Sequence, residues 1–167
     1  MLGTDRLLLT PVGPRDHTIL RVHWGDPDVY RFLFDGAAPS DAEISGVIED
    51  SERTFGAHGY GVWLVRERDG DRPVGTVALR TLADLGLEVV YSLAPSVWGR
   101  GYATEAAGAV VEHALGPLGL TEVLAEVDTA NAASAAVVRR LGMVAFAVVP
   151  GVLGPMTRYR GVRDEQR

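Results

Sequence analysis

The chain has 167 residues, a formal charge of −6, 47% hydrophobic and 23% charged residues and no cysteine, which suits one domain over residues 1–167 and is short for two. The missing cysteines exclude disulfide frameworks, thiolate metal sites and a cysteine nucleophile, while the acidic balance weighs against a general DNA or RNA binder. No run approaches the ~18 apolar residues of a membrane span and no basic leader opens the chain, so a cytoplasmic protein without a membrane partner is the expectation.

In chain order, Arg6 to Val12 reads as a first strand, closed by Pro11 and the Gly13-Pro14 pair. Asp16 to Trp24, and a segment opened by Asp26-Pro27 with Val29, Tyr30, Phe32 and Leu33, read as two short helices. A longer helix follows, capped by Ser40 or Asp41, with Ile44, Val47, Ile48 and Phe55 at helical spacing and Gly46 weakening it. From Gly61 the period shortens. Val62–Val65, Val74–Leu82 and Leu87–Leu93 form an antiparallel meander, with a hairpin turn at Arg68-Asp69-Gly70-Asp71. Gly101 to Leu115 is a helix with Ala103, Ala106, Ala107, Val110, Val111 and Ala114 on one face, ended by Gly116, Pro117 and Gly119. Strand Glu122–Val127, helix Asn131–Leu141, strand Met143–Val149 and a last strand Met156–Arg160 complete a mixed α/β sheet. Arg163 to Arg167 reads as a polar tail.

The segment Trp98-Gly99-Arg100-Gly101-Tyr102-Ala103-Thr104 lies between a strand and the alanine-rich helix. Two glycines permit a tight turn, and the free N–H groups and dipole of a helix start favour an anion such as a diphosphate. Taken alone, the same glycines are more often a plain strand-to-helix turn.

The wider string Tyr91-Ser-Leu-Ala-Pro-Ser-Val-Trp-Gly-Arg-Gly-Tyr-Ala-Thr-Glu-Ala106 resembles the acetyl-CoA-binding motif of the GNAT acetyltransferase superfamily, particularly its RimJ/RimL-like protein N-acetyltransferase branch. Asn131-Ala-Ala-Ser134 with Arg140-Leu-Gly-Met143, the opening Asp5-Arg-Leu-Leu-Leu9 and Asp26-Pro-Asp-Val-Tyr-Arg-Phe-Leu33 are similar to the same branch. The resemblance runs from Thr4 to about Tyr159 and implies an α/β (α+β) GNAT-like fold: a mixed, mostly antiparallel sheet with a splayed parallel strand pair, flanked by helices. It implies acetyl-CoA as cosubstrate, no metal, and a cofactor set of Leu93, Trp98, Gly99, Arg100, Gly101, Tyr102, Ala103, Thr104, Asn131 and Ser134, with backbone N–H groups cradling the diphosphate. The strand Leu87–Leu93 would part from Glu122–Val127 and pair with the pantetheine arm. Trp98 stands where many superfamily members carry Gln or Arg, and Val90 where the branch often has glycine.

The implied reaction is acetyl transfer to a primary amine by direct attack in a ternary complex, the acceptor being a protein N-terminus or a small amine. Ser134 is the residue the resemblance assigns to protonate the leaving thiolate, with Val138 standing where many members carry a tyrosine. Asn131 would contact pantetheine or acceptor amides; its plain alternative is an N-cap. Glu88 is the first candidate base, because strand alternation puts Glu88, Val90 and Ser92 on one face beside the split; its plain alternative is a solvent-facing carboxylate. Glu105, in the first helical turn, reads as a dipole partner. The four histidines show no metal spacing, and His113 reads as a helix-surface residue. Residues 16–34 and about 150–156 would form the acceptor groove, with Trp24, Tyr30, Phe32 and Trp63 as lining or core and Asp26, Asp28 and Asp35 as attractors of an amine or caps. A monomer or homodimer is expected. A non-catalytic module that binds or senses acyl-CoA is the alternative; a third reading makes the groove a structural protein contact, with dimerisation through the C-terminal strands.

Overall fold

Trp63, Leu64 and Val65 are each no more than 1% exposed, so this strand is covered on both faces. In the computed structural model, which describes residues 1–164, Leu64 packs with Val12, Leu20, Trp24, Val29, Ile44 and Ile48, while Trp63 and Val65 join the larger core under the alanine-rich helix. Residues 165–167 of the polar tail lie outside the described residues.

Among the described residues eight strands form one sheet: β1 (Leu2–Gly3), β2 (Leu7–Pro11), β3 (Val62–Glu67), β4 (Pro73–Leu82), β5 (Gly86–Leu93), β6 (Glu122–Asp128), β7 (Val144–Gly151) and β8 (Gly154–Val162), in the order β1-β2-β3-β4-β5-β6-β8-β7. Every neighbouring pair is antiparallel except β5 and β6. The mixed fold with one parallel pair is the one the resemblance implies. Two details differ from the sequence reading. The two-residue β1 is too short to carry a period, and β8 inserts between β6 and β7, an order in space that strand patterns do not encode.

The helices are α1 (His17–Trp24), α2 (Pro27–Leu33), α3 (Asp41–His58), α4 (Tyr102–Leu115) and α5 (Ala132–Arg140). Asp26 caps α2 by accepting from Asp28 N–H, and Ser40 caps α3 by accepting from Glu43 N–H. Gly46 sits mid-helix in α3 and a side chain there would meet nothing within 4 Å, so its cost is propensity alone and the helix continues through it. In the hairpin between β3 and β4, positive φ falls on Gly70 (88°) and Asp71 (55°) rather than on Asp69. Along α4 the small face Ala106, Ala107, Val110, Val111 and Ala114 is buried, which lets the helix lie close on β5.

Candidate active site

β5 and β6 share a single bridge, Glu88 opposite Leu124, and have no further pairing beyond it. The two strands therefore part toward the C-terminal end of β5, as the sequence resemblance implies, and a cavity of about 550 Å³ occupies that region. β5 alternates. Tyr91 turns toward α5, whereas Ser92 turns toward α1 and meets His23.

The loop after β5 carries Gly99 and Gly101, both at φ 79°, a conformation that costs a side-chain-bearing residue strain. Gly101 is the N-cap of α4, and the first intrahelical bond runs from Glu105 N–H to Gly101 O at 3.1 Å. The N–H groups of Tyr102, Ala103 and Thr104 thus precede the helical ladder, and a Cβ on Gly99 would meet nothing within 4 Å. Thr104 Oγ1 is buried without a hydrogen-bond partner among the described residues. Open space, orphan donors and an unpartnered buried hydroxyl together fit an anion with several acceptor oxygens. The side chains of the loop are engaged elsewhere. Arg100 pairs with Glu67 at 3.5 Å, Tyr102 donates to Glu67 at 2.8 Å, and the Trp98 indole donates to Leu93 O at 2.8 Å. Hydrogen bonds from Arg72 and then Tyr102 hold the Glu67 carboxyl below the usual range. Arg100 is thus neutralised and Tyr102 turned into the core, leaving the backbone as the cradle. Glu105 is bound to Arg6 N–H at 3.0 Å and to the Arg6 Nε at 2.7 Å, the structural duty its position suggested.

Ser134 lies in the first turn of α5. Its hydroxyl donates to Tyr91 Oη at 2.9 Å, and Tyr91 in turn donates to Ser134 O at 2.8 Å. Burial pushes the Tyr91 phenol up to about 12, so it holds its proton throughout the neutral range. Asn131 is the N-cap, accepting from Ser134 N–H at 3.2 Å; its carbonyl oxygen thus has a structural task and its amide nitrogen remains to donate. Val138 is fully buried.

The other face of the split is acidic. Asp28 and Asp35 from the α2 side, Glu88 from β5 and Glu126 and Asp128 from β6 line the cavity with two guanidiniums, Arg31 and Arg80. Glu88 is 5% exposed rather than solvent-facing and pairs with Arg80 at 3.0 Å. Burial raises its pKa, partly offset by Arg80. Glu126 pairs with Arg158 at 2.7 Å. Asp128, also 5% exposed, has no side-chain hydrogen bond or ion pair among the described residues, and burial, then Asp35 and Glu126, raise its pKa. Phe32 lines the cavity, Trp24 and Trp63 are core, and Pro150, Gly151, Val152 and Met156 also line the cavity.

Beside this geometry, the Acetyltransferase (GNAT) domain model matches residues 6–144. The chain belongs to the GNAT acetyltransferase family. It is 35% identical over 181 aligned positions to an FsC-acetyl coenzyme A-N(2)-transacetylase of Aspergillus fumigatus, covering 98% of this chain and 77% of that one. Its structure resembles that of spermidine N-acetyltransferase from Vibrio cholerae in complex with CoA and spermine (TM-score 0.78, 15% identity, 96% and 97% coverage). It also resembles ribosomal-protein-S5-alanine acetyltransferase from Vibrio fischeri (TM-score 0.76, 15% identity, 99% and 97% coverage).

In this acetyltransferase, Tyr91, Arg80, Glu126 and Asp128 reach the site without a role assigned from sequence. Tyr91 belongs to the quoted motif, and the signal for it was alternation: it occupies the face opposite Glu88. Asp128 ends β6 one residue beyond the expected strand. His113 is no surface residue, since its Nε2 lies 3.0 Å from Gly59 O and its ring meets Trp63 edge-on. Among the described residues no group of three or more His, Cys, Asp or Glu could hold a metal, and no helix is long and apolar enough to cross a membrane.

His23 Nε2 lies 2.9 Å from Ser92 Oγ, which meets Thr76 Oγ1 at 2.9 Å, and Thr76 accepts from the Trp24 indole at 3.2 Å. Burial lowers the His23 pKa from 6.5 to about 4, against contrary effects of Ser92 and Asp26. The unfolded chain therefore binds a proton that the folded chain refuses between these values. Stability from this group is full above 6.5 and falls as pH drops toward 4. By pH 5 the loss is roughly 2 kcal/mol. Denaturant unfolding at pH 7.5 and pH 5 should show the parent losing about that much more than His23→Gln; equal losses would refute the assignment.

Proposed function

We propose that the protein is an acetyl-CoA-dependent N-acetyltransferase of the RimJ/RimL-like kind, acting on a primary amine by direct attack in a ternary complex. The observation that carries this reading is the Ser134–Tyr91 hydroxyl pair on one side of the parted strands with the carboxylates on the other. Acetyl-CoA supplies an activated acyl group on a sulfur leaving group. The N–H groups of residues 102–104 and the Thr104 hydroxyl would hold its diphosphate, with Gly99 and Gly101 allowing close approach. Trp98 and Leu93 would border the cofactor. The parted edge of β5 leaves strand N–H and C=O groups for the pantetheine amides, and Asn131 keeps its amide nitrogen to donate there.

Ser134 would protonate the departing sulfur, and Tyr91, always protonated at neutral pH, would resupply Ser134 by reversing its hydroxyl from the Ser134 carbonyl to Oγ. The acceptor must lose a proton before attack, and a carboxylate of the acidic face would take it. A GNAT relative named for CoA-dependent N(2)-transacetylation and structural neighbours named for a polyamine and a ribosomal protein support an amine acceptor of either size.

Titration calorimetry with acetyl-CoA, followed by a screen for free-thiol release across peptides, polyamines, amino sugars and amino acids, tests this. Binding with release for one class is expected; no binding would remove both the enzyme and the acyl-CoA sensor. Gly101→Val, forcing a β-branched residue to φ 79°, should weaken acetyl-CoA at least tenfold, and an unchanged Kd would refute the cradle.

A further inference from the structure

Among the five carboxylates of the acidic face, Asp128 stands apart. Glu88 is held by Arg80 and Glu126 by Arg158, each at 3.0 Å or less. Asp128, 5% exposed, lines the same cavity and has no ion pair among the described residues. A buried carboxylate without a partner is costly unless a ligand supplies one. Metal ligation does not account for it, since no three suitable groups converge among the described residues. The groups facing it are one-sided. Asp35 comes from the turn after α2, held at φ 54° and followed by Gly36 at φ 88°, and Glu126 comes from β6 itself. The cavity's Arg80 is committed to Glu88, and opposite Asp128 on β8 stands the uncharged Met156. Asp28 and Arg31 of α2 line the same cavity and offset one another in charge.

We infer that Asp128 seats the ammonium group of a cationic acceptor at the parted strands and takes the proton that this group must lose. The inference rests on the N-acetyltransferase reading and deepens it. The ammonium gives one proton to the Asp128 carboxylate. Its freed lone pair then forms the new C–N bond as the thioester C–S bond breaks, and the second N–H proton balances the one that Ser134 delivers to sulfur. Asp128 returns its proton to water, so overall one ammonium and one thioester give an amide, a thiol and a proton. Glu88, already paired, acts as a positioning residue where the strands divide. The same one-sided charge favours alkylammonium acceptors over amino acids, whose carboxylate it would repel.

The test uses Asp128→Asn, which keeps the shape and the backbone carbonyl that accepts from Asn131 N–H at 2.8 Å, with spermidine as the probe cation. Calorimetry should show spermidine binding the parent and weakening at least tenfold in Asp128→Asn, with the acetyl-CoA Kd unchanged. Unchanged spermidine binding, or none by the parent, would overturn the inference. If the parent binds acetyl-CoA but releases no thiol with any acceptor, the catalytic reading fails, while the spermidine result still decides the seat. With turnover, kcat/KM should fall about 10²-fold and rise tenfold per pH unit toward the amine's own pKa in Asp128→Asn, because solvent must then supply the free amine. Glu88→Gln should lower the rate without moving that limb; a limb moved by Glu88→Gln and not by Asp128→Asn would also overturn it.

Discussion

Ser134→Ala is expected to lower kcat by about 10²-fold or more while the acetyl-CoA Kd stays within about twofold, the split typical of a group that acts on the leaving atom and not on binding. The fold should tolerate the change. Ser134 Oγ makes one hydrogen bond, to Tyr91, and Tyr91 keeps its bond to the Ser134 carbonyl in the variant. The lost bond is worth roughly 1 kcal/mol, too little to mimic a catalytic defect. Tyr91→Phe removes the proton that the proposed relay resupplies and should lower kcat to a similar extent. Because the proposed relay places the two hydroxyls in series, the double variant should be little worse than either single one. Pre-steady-state thiol release separates chemistry from product departure. A Ser134→Ala enzyme with parental kcat, or single defects that multiply in the double variant, would remove the relay.

Gly75→Ala is expected to give the largest stability loss of any single methyl added to the chain. The new Cβ would stand 2.1 Å from Ser92 O and 3.0 Å from Leu93 Cα, where β4 meets β5. Both obstacles are backbone, so no rotamer change relieves them and the ladder must separate. Overpacking typically costs about 1–3 kcal/mol, and a backbone clash this close belongs at or above the upper end. For a chain of this size that is a Tm lower by about 6–12 °C. The shift also falls one residue from where β5 turns into the glycine loop, so acetyl-CoA affinity should drop together with Tm. Calorimetric scanning checks this. A Tm within about 2 °C of the parent would mean that β4 and β5 slide freely there.

The glycine loop and α4 were legible in the sequence because their causes are local. Gly99 and Gly101 occupy positive φ, and the alanine face repeats at helical spacing. The place of Glu88 beside the parted strands was legible through strand alternation, but not its burial or its Arg80 partner, which comes from the neighbouring strand eight residues away. Capture of Arg100 and Tyr102 by Glu67 depends on the far end of β3 folding back against the loop, a contact across more than thirty residues. The Tyr91–Ser134 pair likewise spans two elements whose relative position is set by the sheet. Asp128 escaped for a different reason. A carboxylate at a strand end looks like an ordinary surface charge, and only the fold shows it lining the cavity with no ion pair of its own among the described residues.

Trp98 has an optical consequence. Of the three tryptophans, Trp24 and Trp63 are 3% and 1% exposed, while Trp98 is 56% exposed at the rim of the glycine loop. Red-shifted emission and quenching by iodide should therefore come from this one indole. A nucleotide settling on the loop would darken or blue-shift that signal and leave the other two untouched. On the proposed reading, this indole is an intrinsic fluorophore for titrating acyl-CoA thioesters without label, and the titration requires no knowledge of the acceptor.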